Sequence, residues 1–197
     1  GIGADGILRV VRTEHVKPHV PQVSESNATW FMDYRNADGS IAEMCGNGTR
    51  VFAHWRYRQG YETVPQFSIA TRAGDKTIKV AEADASGRIP DSQQAVISVE
   101  MGRAEITGLS TAHIGRESFA GIAVDVGNPH LAVVVPGWDS EDIARLQLQT
   151  PRIDRDFFPA GVNVEIATPL VDGTTHMRVF ERGVGETKSC GTGTVAT

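Results

Sequence analysis

Cys45 and Cys190 each open a five-residue turn of nearly the same composition, Cys-Gly-Asn-Gly-Thr over residues 45–49 and Cys-Gly-Thr-Gly-Thr over 190–194; the 197-residue chain has no other cysteine. The glycines remove Cβ obstruction, so each turn can bend tightly and bring its backbone close to a ligand. If each turn starts a helix, its first amides and the positive end of its dipole form an anion site suited to a carboxylate. The same field favours a thiolate, and either thiol is expected to ionise below the free value of about 8.5. Two such groups suit inversion at the α-carbon of a small amino acid, where a base removes a proton from one face and an acid supplies one to the other. One thiol must then be ionised and its partner protonated, so their pKa values must separate or couple. Charge developing on the α-carboxylate would meet both sets of turn amides. The scheme needs no cofactor and no metal.

Other uses of the cysteines are weighed against this one. A lone Cys-Gly is more often a small buried residue than a catalyst, but a duplicated turn argues for function. A disulfide between the two is the structural alternative. A chain of this size needs no such staple, and a reduced, cytoplasmic protein fits better. Zinc is disfavoured because neither Cys-x-x-Cys nor His-x-x-x-His spacing completes a ligand set. Two glycine strings are decoys. GIGADG at residues 1–6 fits a dinucleotide fingerprint but leads into the strand-like ILRVV rather than a helix. GVGETKS has Thr187 before Lys188, where a phosphate loop requires Gly. Neither a Gly-x-Ser-x-Gly elbow nor a His-Glu-x-x-His pair is present.

Positioning these residues requires mostly sheet. Strand-like segments are WFMDYR, FSIAT, KTIKVAEA, AVISVEM, IAVDVG, HLAVVV, VNVEIA and THMRVF, rich in β-branched or aromatic residues and bounded by turn formers. Helix is expected from Asn47 to Gln59, with Val51, Phe52 and Trp55 on its apolar face and Gly60 ending it, and more briefly from Ser140 to Leu148. Glu14 to Ala28, with two prolines and a polar SESN run, reads as a surface loop. WFMDYR leads through nine residues to Cys45, and THMRVF leads through nine to Cys190, so the chain contains an internal duplication. A boundary near Met101 and Gly102 divides it into residues 1–101 and 102–197, each presenting one cysteine at an inter-domain cleft.

At 40% apolar and 22% charged residues the composition is that of an ordinary globular protein. A net charge of -5, without blocks of like charge, argues against a nucleic-acid partner. Apolar runs such as LAVVVP fall far short of the roughly 18 residues that span a bilayer, so no membrane anchor is expected. The first residues look like the interior of a fold, and the last stop where a turn should launch a helix, so a longer parent truncated at both ends is expected.

Taken in order, GIGADG, NADGS, MCGNGTR, GNPH, GVNVE and ERGVGETKSCGTGT closely resemble the diaminopimelate epimerase family, over essentially the whole chain. The resemblance implies an α+β fold of two pseudo-symmetric domains, each a mixed sheet wrapped around a central helix. It implies interconversion of LL- and meso-2,6-diaminopimelate without pyridoxal phosphate, in lysine and cell-wall precursor synthesis, by a homodimer. Carried over by position, Cys45 and Cys190 are the acid/base pair, and His130 and Glu181 lie near the thiols, orienting the amino group or tuning the pair. Gly46, Asn47, Gly191 and Thr192 hold the reacting carboxylate by turn amides. Asn36, Asn128, Asn163 and the Glu181-Arg182 pair grip the amino and carboxylate groups.

The bland readings are that Asn36 and Asn128 are turn formers, that Arg182 and Glu181 form a solvated ion pair, that His130 is a core histidine, and that Asp5 is structural. An Arg fork nevertheless suits a distal carboxylate. The chain departs from many family members in having Gly6 where they carry Gln. A proline-like substrate, or a binding protein with a bridged cysteine pair, are the competing readings.

Overall fold

The computed structural model describes residues 6–36, 38–81 and 95–197. Most of GIGADG with Asp5, Ala37 of NADGS, and the end of KTIKVAEA lie outside the described residues. The chain divides into two compact units, Gly1–Gly102 and Arg103–Thr197.

In the first unit, β1 (Gly6–Arg12), β2 (Trp30–Asn36), β4 (Gln66–Thr71), β5 (Gly74–Ala81) and β6 (Val96–Val99) form a sheet in the order β1-β2-β4-β5-β6, with the short β3 (Ile41–Ala42) pairing with β2. The β2–β4 pair is parallel and the others are antiparallel. A parallel pair needs a crossover, and α2 (Gly46–Arg58) provides it. This helix buries Phe52, Ala53 and Tyr57 against Met32, Phe67, Ile69 and Ile78, and each such apolar side chain contributes roughly 1.5–3 kcal/mol. Arg56 and Arg58 complement the negative end of its dipole. Gly60, with φ +74°, takes the left-handed conformation that ends the helix.

The expected apolar face of α2 is corrected. Phe52 is buried, but Val51 and Trp55 are 61% and 45% exposed. The buried stripe runs instead through Thr49, Phe52, Ala53, Arg56 and Tyr57. Arg56 can occupy it because its guanidinium pairs with Glu62 at 2.6 Å and lies over the Trp30 ring. Glu14–Ala28 is also more than a surface loop. It contains all but the first residue of helix α1 (Thr13–Val16) and a 3-10 turn at Pro21–Val23. Val20, Val23 and Ala28 pack with Phe31 and Ala70 into a second small core.

The second unit is a sheet of β7 (Glu105–Ile114), β8 (Glu117–Asp125), β9 (Pro129–Val134), β10 (Asn163–Ala167), β11 (Met177–Glu181) and β12 (Gly185–Thr187), in the order β12-β11-β10-β9-β8-β7. Only the β9–β10 pairing is parallel. One face packs Leu131, Val133, Val164 and Ile166 against Phe119, Ile143 and Phe158. The other carries α4 (Gly191–Ala196), against β9 and β10. All five residues of β10 are buried as a result.

Helix α3 (Ser140–Arg145) is started by a capping box between Asp139 and Asp142. It stops at Arg145 rather than continuing to Leu148, because Leu146 turns extended and Arg178 donates to the carbonyls of Ile143 and Leu146. The segment from Glu105 to Ile114, absent from the expected strands, is β7 at the sheet edge; only two of its ten residues are buried, so it carries little apolar signal.

The two units share a motif. Each has an antiparallel hairpin (β2/β3 or β11/β12), then a cysteine, then a helix. Leu8 faces Tyr34 across β1–β2, and Glu165 faces Val179 across β10–β11. Tyr34 and Val179 each lie eleven residues ahead of their cysteine, so Leu8 and Glu165 occupy equivalent positions.

Candidate active site

Each cysteine is the N-cap of its helix, with nearly the same backbone: φ -142°, ψ 110° at Cys45 and φ -124°, ψ 116° at Cys190. The Gly48 amide donates to Cys45 Sγ at 3.2 Å, and the Gly193 amide to Cys190 Sγ at 3.3 Å. A thiol thus does at both caps what a Ser or Asp oxygen usually does. One turn amide of each set points at sulfur. The helix-starting amides ahead of it, those of Gly46 and Asn47 and of Gly191 and Thr192, have no intrahelical acceptor by the geometry of a helix start. Among the described residues neither cysteine is in a disulfide.

The surroundings of the two caps differ. Cys45 is half-buried, and beside it the Asn47 side-chain oxygen accepts from the Arg50 guanidinium. Cys190 is buried and sits at the end of a polar chain. Glu165 Oε1 meets His130 Nδ1 at 2.7 Å, His130 Nε2 meets Asn128 Oδ1 at 3.0 Å, Asn128 Nδ2 donates to Thr192 Oγ1 at 3.4 Å, and Thr192 Oγ1 meets Cys190 Sγ at 3.3 Å. His130 and Glu165 are both 0% exposed. Burial raises the Glu165 pKa, opposed by its hydrogen bond and attraction to His130.

The expectation of an acidic thiol is corrected at Cys190. Burial, joined by the Glu181 and Glu165 carboxylates, pushes its pKa up to about 11 against the opposing pull of Thr192 and the Gly193 amide. Desolvation outweighs the turn amide, so this thiol is protonated at neutral pH. At pH 8 its thiolate is about 10²-fold scarcer than that of a free cysteine, and its greater intrinsic nucleophilicity recovers only about tenfold. Iodoacetamide should therefore label Cys190 at least about tenfold more slowly than a free thiol at pH 8, accelerating through about pH 11. Peptide mapping by mass spectrometry checks this; half-maximal labelling below pH 9 would contradict it.

The remaining expected residues fall into two groups. Asn128, His130, Asn163, Glu181, Arg182, Gly191 and Thr192 belong to the unit of Cys190, and Asn36, Gly46 and Asn47 to that of Cys45. Asn163 clasps two strand ends, its Nδ2 donating to the Pro129 carbonyl and its Oδ1 accepting from the Arg182 amide. Glu181 accepts from the Thr187 hydroxyl, and Arg182 donates to the Ala160 carbonyl at 3.3 Å. The Asn36 side chain donates to Ser40 Oγ at 2.9 Å within its own turn. Among the described residues no group of three or more His, Cys, Asp or Glu is placed to hold a metal ion, and no helix is long and apolar enough to cross a membrane.

The sequence profile described as diaminopimelate epimerase matches residues 1–107 and 122–197. The chain belongs to the diaminopimelate epimerase family. It is 54% identical to a diaminopimelate epimerase of Corynebacterium aurimucosum, over the whole of this chain and 69% of that protein. It is 47% identical to one from Mycobacterium leprae, over the whole of this chain and 67% of that protein. In fold it is similar to a hydroxyproline epimerase from Agrobacterium vitis, with TM-score 0.61 and 14% identity over 87% of this chain and 55% of the other. A probable proline racemase from Agrobacterium radiobacter gives TM-score 0.60 and 13% identity over 87% and 56%. These two likenesses concern fold alone.

The space beside Gly6 is filled. A Cβ on Gly6 would lie 2.5 Å from the Tyr34 hydroxyl oxygen and 2.7 Å from the Arg35 carbonyl oxygen, so the Tyr34 ring fills the space a side chain would need. Sequence reasoning missed Glu165. Its signal was an acid two residues after Asn163 on an otherwise apolar strand, which by strand alternation puts both on one face.

Proposed function

We propose that this chain carries the two-thiol acid/base machinery of a diaminopimelate epimerase, converting LL- to meso-2,6-diaminopimelate in lysine and peptidoglycan precursor synthesis. The observation that carries this reading is the repeated cap: in a chain of this family, each unit offers one cysteine with the same backbone and the same amide on its sulfur.

Taken in one direction, Cys45 thiolate removes the α-proton and becomes a thiol, while Cys190 thiol delivers its proton to the opposite face and becomes a thiolate. The high pKa of Cys190 suits it to begin as the acid. The reverse direction exchanges the roles. Charge building on the α-carboxylate is met by the amides of Gly46, Asn47, Gly191 and Thr192. Asn36, Asn128 and Asn163 recognise the amino-acid head groups, Glu181 and His130 tune the thiols and orient the amino group, and Arg182 takes the distal carboxylate through its fork. The scheme asks for no pyridoxal phosphate. A cytoplasmic homodimer completes the proposal, on the strength of the family resemblance.

The test is incubation of the full-length protein with LL-diaminopimelate in D2O without pyridoxal phosphate. Deuterium at the inverted α-carbon and formation of meso product are expected. Turnover of proline or hydroxyproline, with none of diaminopimelate, would overturn the substrate assignment.

A further inference from the structure

Glu165 is a buried acid to which the scheme above gives no role, and the structure places it where it can act on the second thiol. Its Oε1 is bonded to His130, while its Oε2 is buried with no hydrogen-bond partner among the described residues. The carboxyl group lies against the helix that Cys190 caps: a Cβ on Gly193 would come within 2.5 Å of Glu165 Oε1. Its counterpart in the first unit is Leu8, whose Cδ2 would stand 3.3 Å from a Cβ on Gly48. One thiol is therefore backed by an apolar side chain, and the other by an acid linked to it through three further side chains.

The chain has a direction, because the oxygen of an amide side chain only accepts hydrogen bonds. Asn128 Oδ1 accepts, so His130 Nε2 carries a proton. Asn128 Nδ2 donates to Thr192 Oγ1, which leaves the Thr192 hydroxyl proton for Cys190 Sγ. With Nε2 protonated, His130 Nδ1 is either the lone pair of a neutral ring, facing a Glu165 carboxylic acid, or the N–H of an imidazolium, facing a carboxylate. Glu165 matches either state. A histidine's partner at one nitrogen decides what the other presents.

We infer that Glu165 is a positioning residue for the reaction: by holding His130 with its proton on Nε2, it orients Asn128 and Thr192 so that the Thr192 hydroxyl donates to Cys190 Sγ and stabilises the thiolate left when this cysteine gives up its proton. The inference rests on reading Cys190 as one of the acid/base pair. It goes beyond that reading by giving Glu165 a role and making the two thiols unequal by construction.

The test compares Glu165→Gln with Glu165→Leu in the full-length protein. Both remove the ionisable carboxyl, so their difference reports the hydrogen bond to Nδ1, since the Gln amide can still donate there. The titratable groups around the site, Glu181, His130 and Cys190, are the same in both variants. Expected for Glu165→Gln is Cys190 alkylation at pH 9 within about threefold of the unmodified protein. Expected for Glu165→Leu is a rate about fivefold or more below that of Glu165→Gln, with a lower kcat at unchanged KM. Equal alkylation rates in the two variants, at comparable melting temperatures, would overturn the inference.

Imidazole 15N NMR of the unmodified protein decides the matter should Glu165→Leu fail to fold. His130 protonated at Nε2 supports the inference, and neutral His130 protonated only at Nδ1 overturns it. The alkylation and NMR readings need no turnover, so failure of the substrate assignment would leave them interpretable.

Discussion

Cys45→Ala and Cys190→Ala should each lower the interconversion of LL- and meso-diaminopimelate by about 10²–10⁴-fold, the usual effect of removing a positioned general acid or base. The reason is stereochemical. Inversion requires removal and delivery on opposite faces, and a single remaining thiol returns the proton to the face it came from. Any residual exchange with solvent deuterium should therefore be confined to one stereoisomer in each variant, and the isomer should differ between the two. Proton NMR of each isomer incubated separately in D2O measures this. Interconversion at the unmodified rate in either variant would rule out the two-thiol scheme. Each cysteine caps a helix through its sulfur, and losing a cap costs about 1 kcal/mol, or roughly 2–4 °C of melting temperature for a chain of this size, so activity is compared at a temperature where both variants remain folded.

Gly193→Ala should be the more damaging of two changes that look identical in sequence. At Gly193 the added Cβ would lie 2.5 Å from Glu165 Oε1 and 3.1 Å from both its Cδ and Cγ. Glu165 is fully buried and cannot swing into solvent. Overpacking of this kind costs about 1–3 kcal/mol, or a fall in melting temperature of roughly 2–10 °C for a chain of this size. It should also slow epimerisation by displacing the carboxyl from His130. At Gly48 the nearest atoms to a new Cβ are 3.3 Å away, Cys45 Sγ and Leu8 Cδ2, so a slight adjustment admits it. The higher helix propensity of Ala, about 1 kcal/mol over Gly, offsets the crowding. Thermal melts of the two variants side by side give the comparison. A Gly48→Ala variant as destabilised as Gly193→Ala would contradict the packing argument.

The fold class and the repeat were legible because they rest on local signals. Segments rich in β-branched and aromatic residues became β2, β4, β5, β6, β8, β9, β10 and β11, and two copies of Cys-Gly-x-Gly-Thr became two caps with matching dihedrals. What stayed hidden depended on partners distant in sequence. Arg56 lies in the buried stripe of α2 because of Glu62 and Trp30, while Trp55, the better apolar candidate, packs at the surface beside Tyr61. The turn around Cys190 promised an acidic thiol, but its burial is set by the packing of α4 on β9 and β10, which the turn itself does not encode. Asn163 read as a substrate contact, and the structure adds a clasp between Pro129 and Arg182, two backbone groups that only the folded sheet brings together.

The pairing of Leu8 in one unit with Glu165 at the equivalent position in the other bears on how a duplicated protein can run a reaction that needs unlike partners. Two identical halves holding one proton between their thiols would have degenerate microscopic states, neither half preferred. Substrate alone would then have to break the symmetry at every turnover. Divergence at a single strand position, beneath caps that stayed alike, puts unlike groups behind the two thiols, so the halves differ before any substrate arrives.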